Sequence, residues 1–345
     1  MSIFKRAAVL GAAASLVLGL AACSGESTTS DETTSAPNET NNGGAGAATT
    51  LVLGHEGNDE DPRQTAALRL KELVEEATDG RVEIEIHANG TLGNWEQMIE
   101  GLQFGSTDIV IESLLTLESY SELASIETAP FIYRDTEHFI EVWEGDIGDE
   151  IRGAVAEDTG FAIAGNMFRG ARQLSTKTPV TSLDDLSGLT IRTPSAPTMV
   201  ATWQALGARA EAMPWDEVYS ALEQGVLDGQ ENPLSSILFA SVHEVAPEIT
   251  MTSHVYANFH FIMWDEALQG MDEADREAIL EAATVVGQEY TEAIQEDEAE
   301  YRAQMEDEGA TFHELTDRDA WVEATQPVID SLPDRAKEWV GQITG

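Results

Sequence analysis

Cysteine is nearly absent from these 345 residues, Cys23 being the only one. A disulfide framework and any zinc or iron–sulfur site built on several thiolates are thereby excluded. Lysine is almost as scarce (Lys5, Lys71, Lys177 and Lys337), and Lys and Arg together number 18 against 63 Asp and Glu, a formal net charge of −45. Nucleic-acid binding by phosphate neutralisation is ruled out by that balance. No apolar run reaches the roughly 20 residues of a membrane-spanning helix. Familiar catalytic signatures are also missing: no Gly-x-Ser-x-Gly elbow, phosphate-cradling glycine loop or His-Glu-x-x-His occurs, and the only Ser-x-x-Lys, Ser2-Ile3-Phe4-Lys5, lies in the first five residues, ahead of the apolar leader run. The seven histidines show no ligand-type spacing, and Asn58-Asp59-Glu60-Asp61 lacks the glycine and distal glutamate of a calcium loop. That cluster reads as a solvated turn and helix cap. No catalytic residue, metal or cofactor is expected.

What is present begins with a leader. Lys5-Arg6 precede an apolar run from Ala7 to Leu20, and Leu20-Ala21-Ala22-Cys23 follows. A positive start, a short apolar stretch and a small-residue cleavage site make a secretory signal over residues 1–22. The lone cysteine directly after Leu-Ala-Ala resembles the lipobox of bacterial lipoproteins, so Cys23 is the expected lipidation site and the membrane a partner through that anchor. Acylation by two or more chains gives stable anchoring. Residues 23–49, rich in Ser, Thr, Asn, Gly and acid, cannot bury enough surface to offset their ordering entropy and read as a flexible tether.

From Thr50 onward short β-rich runs alternate with helical periods. A strand over Thr50–Gly54 precedes an Asp61-Pro62 helix start, with Ala66, Leu70, Leu73 and Ala77 on one face. The strictly alternating Val82–His87, a turn at Asn89-Gly90, a helix over Asn94–Phe104 and a strand over Asp108–Ile111 follow. The βαβαβ order predicts a right-handed, mainly parallel sheet with helices on its faces. A second series repeats it: strands near Phe161–Asn166, Leu189–Arg192, Arg209–Ala212 and Val226–Glu231, with helices near Thr198–Leu206 and Asp216–Gln224. Two β-rich runs, Ile249–Val255 and Phe259–Met263, lead to a long helix from about Asp272 to Glu308, with Ile279, Ala283, Val286, Tyr290 and Ala293 as its apolar stripe. The expected fold is α/β, with two sheets and hence two lobes. Residues 50–170 with part of 257–345 form lobe 1 and residues 171–256 lobe 2, while 257–345 supply a strut helix and C-terminal helices along both.

With so few cations, the place of each arginine is informative. Arg192 follows Leu189-Thr190-Ile191 at the C-terminal end of a parallel strand, where open α/β sheets bind ligands. A guanidinium fork matches a carboxylate through two parallel hydrogen bonds. With 63 acids available, however, composition alone makes Arg192 and Arg172 ordinary surface ion pairs first, and Arg169 reads either way.

Five ordered blocks change that reading: Ala88-Asn89-Gly90-Thr91-Leu92-Gly93, Ala129-Pro130-Phe131-Ile132-Tyr133-Arg134-Asp135, Ile191-Arg192-Thr193-Pro194, Met213-Pro214-Trp215-Asp216-Glu217-Val218-Tyr219 and Leu227-Asp228-Gly229-Gln230-Glu231-Asn232-Pro233. Together, over about residues 50–330, the chain resembles the substrate-binding subunit of TRAP transporters, of the DctP type. The resemblance implies a two-lobed, periplasmic-binding-protein-like fold with a ligand cleft between lobes, a soluble receptor that captures a small organic acid outside the cytoplasm and delivers it to sodium-coupled membrane subunits. It further implies that Arg192 is the main carboxylate clamp, that Arg172 is a second arginine meeting another polar group, and that the amide of Asn232 also holds the carboxylate. Trp215 takes the place of a pocket aromatic, with Ser113 and Trp95 on the opposite lobe.

Three readings follow from the sequence: a TRAP receptor for a C4-dicarboxylate or sugar acid, a binding lipoprotein of an ATP-driven importer, and an extracellular hydrolase of acidic sugars. The acid-rich, lysine-poor composition is read as an adaptation to high salt.

Overall fold

The computed structural model describes residues 48–345, so the leader, Cys23 and nearly all of the tether lie outside the described residues. The first half runs β1 (Thr49–Gly54), α1 (Pro62–Ala77), β2 (Val82–His87), α2 (Trp95–Phe104) and β3 (Ile109–Glu112), then α3 (Thr136–Glu144), α4 (Asp146–Thr159) and β4 (Phe161–Thr176). Local chemistry accounts for the boundaries. Asp61 caps α1 by accepting from the Arg63 amide, with Pro62 in the first turn, while Asn94 and Gln97 form a capping box on α2. In β2, Val82 and Ile84 are buried and Glu83 and Glu85 exposed, the pattern of a strand wet on one face. Asn89 and Gly90 both have φ of 60°, the left-handed pair that a tight turn requires. Unlike its solvated neighbours Asp59 and Glu60, Asp61 is buried against Arg63, so that cluster is only in part the open turn expected of it.

The second half repeats the order with β5 (Thr190–Thr193), α5 (Pro197–Ala205), β6 (Arg209–Ala212), α6 (Trp215–Glu223) and β7 (Gly229–Pro233). Then come α7 (Leu234–Phe239), α8 (Val242–Val245), β8 (Glu248–Met251), β9 (Tyr256–Trp264), α9 (Asp265–Gln269), α10 (Glu273–Asp307), β10 (Thr311–Glu314), α11 (Arg318–Ser331) and α12 (Asp334–Thr344).

Strand order is β2-β1-β3-β9-β4-β7-β5-β6, with β8 on β4 and β10 on β8. The outer pairs β1/β2, β1/β3, β5/β6 and β5/β7 are parallel, as is β8/β10. The central pairs β3/β9, β9/β4, β4/β7 and β4/β8 are antiparallel, so the sheet is mixed where a mainly parallel one was expected. The reason is that β4 and β9 are long strands running through the middle. The first part of β4 pairs with β9, while Arg172 to Thr176 pair with β7 and β8. The strand read near Phe161–Asn166 therefore continues ten residues further. Gly165 and Gly170, at φ of 70° and 105°, lie within two register shifts that break the alternation without ending the ladder.

Helix α10 runs 35 residues, about 50 Å at 1.5 Å per residue. It packs on β4, α1 and α7. Gly287 lets it approach β4 closely, since a Cβ there would sit 2.7 Å from the Asn166 nitrogen. Its buried stripe passes from Tyr290 to Ile294, leaving the expected Ala293 exposed; over this length a 3.6-residue period drifts off an alternating +3/+4 rule. Glu273, Glu277, Glu281, Glu289, Glu292, Glu296 and Glu300 line its exposed face. Screening of such like charges stabilises the folded state, so the midpoint of thermal unfolding should rise from low to about molar sodium chloride. A flat or falling midpoint would remove the case for salt adaptation. No helix among the described residues is long and apolar enough to cross a membrane.

Candidate functional site

Residues at or just beyond the C-terminal ends of β1, β3, β5 and β7 line one cleft, together with Arg169 and Arg172 of β4. An inner space of about 50 Å³ is lined by Glu56, Trp95 and Glu112 together with Arg192, Trp215 and Asn232. An outer space of about 250 Å³ shares Glu56, Arg63, Trp215 and Ser236 with it. Four of the chain's few cations, Arg63, Arg169, Arg172 and Arg192, line the inner space.

Arg192, on β5, is only 3 % exposed and has no carboxylate partner among the described residues. Its Nε and Nη2 both donate to the Met213 carbonyl, at 2.8 and 2.6 Å. That anchor uses one edge of the guanidinium and leaves the Nη1–Nη2 edge for a planar two-oxygen acceptor. The half-buried Trp215 ring at the start of α6 lies 5.3 Å from the same guanidinium carbon. Burial lowers the Arg192 pKa to about 10, which still leaves the side chain charged at neutral pH.

Arg172 is held differently. Its Nε donates to Glu231 Oε2 at 2.5 Å, and Nη2 donates to Oε1 at 2.8 Å and to the Glu231 carbonyl at 2.7 Å. His254 Nε2 adds a 3.1 Å bond to the same carboxylate, and Thr252 lies 2.8 Å from His254 Nδ1. Burial alone would raise the Glu231 carboxyl; the Arg172 charge and the hydrogen bonds from His254 and Arg172 outweigh it and hold the pKa at about 2. Burial lowers that of His254, so its imidazole is neutral.

Arg169 lies flat on Phe259, 3.9 Å from the ring centroid. It donates to Ser113 Oγ at 2.9 Å, to Ser236 Oγ at 3.2 Å and to Asn232 Oδ1 at 3.4 Å. Burial, followed by repulsion from Arg172 and Arg63, brings its pKa down to about 10. The Asn232 amide nitrogen donates to Gln230 Oε1 at 2.8 Å.

Two acids form an acidic wall of the same space. Glu56 follows β1 and accepts the Trp95 backbone N–H at 3.2 Å. Glu112 ends β3, buried; its Oε2 accepts the Ser113 N–H at 3.2 Å. Its Oε1 lies 3.5 Å from Arg63 Nη1 and has no hydrogen-bond partner. Burial, with the Glu112 charge beside it, pushes the Glu56 carboxyl up to about 7, and burial likewise raises that of Glu112. Arg63 is tied to Asp61 by two bonds of 3.0 and 2.8 Å.

Residues 53–335 match the family model of bacterial extracellular solute-binding proteins, family 7, named DctP. The chain belongs to this family. A solute-binding protein of Roseobacter denitrificans is 33% identical over 295 residues, spanning 82% of this chain and 90% of its own. The C4-dicarboxylate-binding periplasmic protein DctP of Rhodobacter capsulatus is 33% identical over 281 residues, 79% and 83% of the two chains. Among solved structures, a TRAP periplasmic solute-binding protein from Roseobacter denitrificans with bound L-galactonate superposes with a TM-score of 0.81 at 31% identity, covering 86% of this chain and 99% of that one. One from Polaromonas bound to D-erythronate gives 0.82 at 26% identity, over 86% and 98%. The match favours the first of the three sequence readings over the ATP-driven importer and the hydrolase.

In this DctP-family chain Arg172, Arg192, Asn232, Trp215 and Trp95 all line the one cleft. Ser113 does not; it lies fully buried behind Arg169 and holds it. Arg172 carries the ion pair that composition suggested, though buried with Glu231 rather than at the surface. Arg63, Glu56 and Glu112 were not singled out in the sequence. For Glu112 the signal was there: a lone charge after the apolar Ile109-Val110-Ile111, close to a strand end as Arg192 is. Arg63 was hidden behind its neighbour's role as a helix start.

Proposed function

We propose that this protein is the extracytoplasmic receptor of a TRAP importer, capturing a small organic acid and delivering it unchanged to the sodium-coupled membrane subunits. One observation carries the reading: a buried arginine, Arg192, is anchored by a carbonyl along one edge and turns its other edge into a cleft beside Asn232 and Trp215. A ligand carboxylate there replaces its hydration with the guanidinium fork, and the Trp215 face covers the carbon chain. Related proteins hold L-galactonate and D-erythronate, and another is named for C4-dicarboxylates, so a sugar acid or a C4-dicarboxylate is the substrate class.

Residues 50–170 with part of 257–345, and residues 171–256, act as two lobes that close over the ligand. Closure excludes water and strengthens the charge pairing, and the ligand shifts the open–closed balance only by its preference for the closed form. The leader and Cys23 support lipid anchoring at the outer face of the membrane, which raises the receptor's concentration near its transporter.

The test is a thermal-shift panel of aldonates, uronates, C4-dicarboxylates and amino-acid-like zwitterions. Ligand at about 100 times its dissociation constant adds roughly 2.7 kcal/mol, a rise of several degrees. A responding acid should be recovered chemically intact. Silence from every carboxylate, or turnover of the one that binds, would overturn the proposal.

A further inference from the structure

A count of charges inside the cleft goes further than the carboxylate clamp and rests on it. Four guanidiniums line the inner space, with Glu56 and Glu112 beside them and Asp61 and Glu231 bound to two of them, while the nearby buried Glu127 is taken up by the Leu115 and Asn258 amides. Arg63 with Asp61 and Arg172 with Glu231 are complete pairs, each joined by two or more hydrogen bonds. Arg169 and Arg192 remain, hydrogen-bonded only to neutral groups. Glu56 and Glu112 also remain. They line the same space as Arg192, the Glu112 charge acting on Glu56, and one oxygen of the buried Glu112 has no donor.

Two adjacent carboxyls away from bulk water compete for a proton. Burial raises both, Glu56 to about 7, against the opposing charges of Arg63 on α1, Arg192 on β5 and Arg169 on β4, with Asp61 pushing further upward on Glu112. The wall thus keeps carboxyl oxygen that no internal group serves, Glu112 Oε1 first, while Arg192 in the same cleft has only a carbonyl for partner and takes an anion. What the acidic wall then lacks is donors.

We propose that the cleft selects a singly charged, hydroxylated acid, its carboxylate on Arg192 and its hydroxyls donating to Glu56 and Glu112, and that these two residues reject a second carboxylate at that end. A second carboxylate has no proton to give at neutral pH and meets like charge. An ammonium group has protons, but Arg63 at 3.5 Å from Glu112, with Arg169 nearby, repels it. Hydroxyls alone satisfy the wall without adding charge.

Matched pairs that differ only in oxidation of the far carbon separate the cases: L-galactonate against galactarate, and D-erythronate against meso-tartrate, with succinate and proline alongside. By calorimetry at neutral pH, at least one monocarboxylate should bind about 100-fold or more tightly than its dicarboxylate partner, succinate and proline. Glu112→Gln, nearly the same shape but with one fewer acceptor, should weaken the monocarboxylate about tenfold or more and shrink that ratio below about tenfold. A dicarboxylate or proline binding as tightly as the best monocarboxylate overturns the proposal, and so does an unchanged ratio in both Glu112→Gln and Glu56→Gln. The wild-type ratio stands even where a variant folds poorly. Tight succinate or tartrate binding that needs Arg192 would overturn this selectivity while leaving the receptor reading intact. Binding indifferent to Arg192, or no binding by any acid, would bring both down.

Discussion

Arg192→Ala loses ligand binding by about 100-fold or more while the empty protein still folds. Removing one partner of a buried, hydrogen-bonded charge pair costs some 2–5 kcal/mol of binding. Arg192 holds no internal acid, so its truncation strands no buried charge; it gives up two bonds to the Met213 carbonyl and the contact with Trp215. Burying an unpaired guanidinium is itself unfavourable, as its lowered pKa of about 10 records, and truncation relieves that cost. The unfolding midpoint of the empty protein should therefore move by no more than a few degrees, and the stabilisation by ligand should disappear. Arg192→Lys should bind nearly as poorly, because an ammonium cannot offer two parallel donors. Calorimetric titration beside thermal unfolding separates the two effects. Binding within about threefold of wild type in Arg192→Ala would show that the carboxylate is held elsewhere, with Arg169 the next residue to replace.

Why Arg192 could be found in the sequence and Arg169 could not is a matter of period. Thr190-Ile191-Arg192-Thr193 is a short parallel strand with Arg192 near the end where such sheets bind ligands, and the helix caps at Asp61 and Asn94 fixed their elements to within a residue. Those features are local. β4 is not: two bulges erase the alternation on which the strand reading depends, so nothing in the sequence places Arg169 and Arg172 on one continuous strand through the centre of the sheet. The antiparallel centre was missed for the same reason, since β9 reads as a buried apolar run with no direction of its own. Partner choice is also non-local. That Arg172 belongs to Glu231 and Arg192 to a carbonyl is decided by β7 and β6 folding beside them, and the resemblance to a family located the residues without distinguishing their duties. The acidic wall shows the limit most plainly: Glu56 and Glu112 lie 56 positions apart among 63 acids and become distinct only when two strand ends bring them together.

The second large effect falls on stability. Glu231→Ala should lower it by about 3–5 kcal/mol, because it leaves the Arg172 guanidinium buried at 2 % exposure with no counter-charge. In a protein of this size that corresponds to a midpoint roughly 6–15 °C lower. The double variant Arg172→Leu with Glu231→Leu should recover most of the loss, since removing both charges also removes both desolvation costs. Acid supplies an independent check. The Glu231 carboxyl is held at about 2, below its ordinary 4.5, so the folded protein binds this proton less tightly than the unfolded chain. Its contribution is thus fully present above about pH 4.5 and is lost as pH falls towards 2. The stability gap between wild type and Glu231→Ala should accordingly be constant from neutral pH down to about 5 and narrow below that. Burial lowers the His254 pKa and keeps its imidazole neutral at neutral pH, so there the carboxylate's charge partner is Arg172. Denaturant titrations at neutral pH and near pH 3.5 measure both. A loss under about 1 kcal/mol at neutral pH, or a gap that does not narrow in acid, would mean that the carboxylate does not neutralise Arg172. The orientation of Arg172 in the cleft would then have to come from His254 and the strand ladder alone.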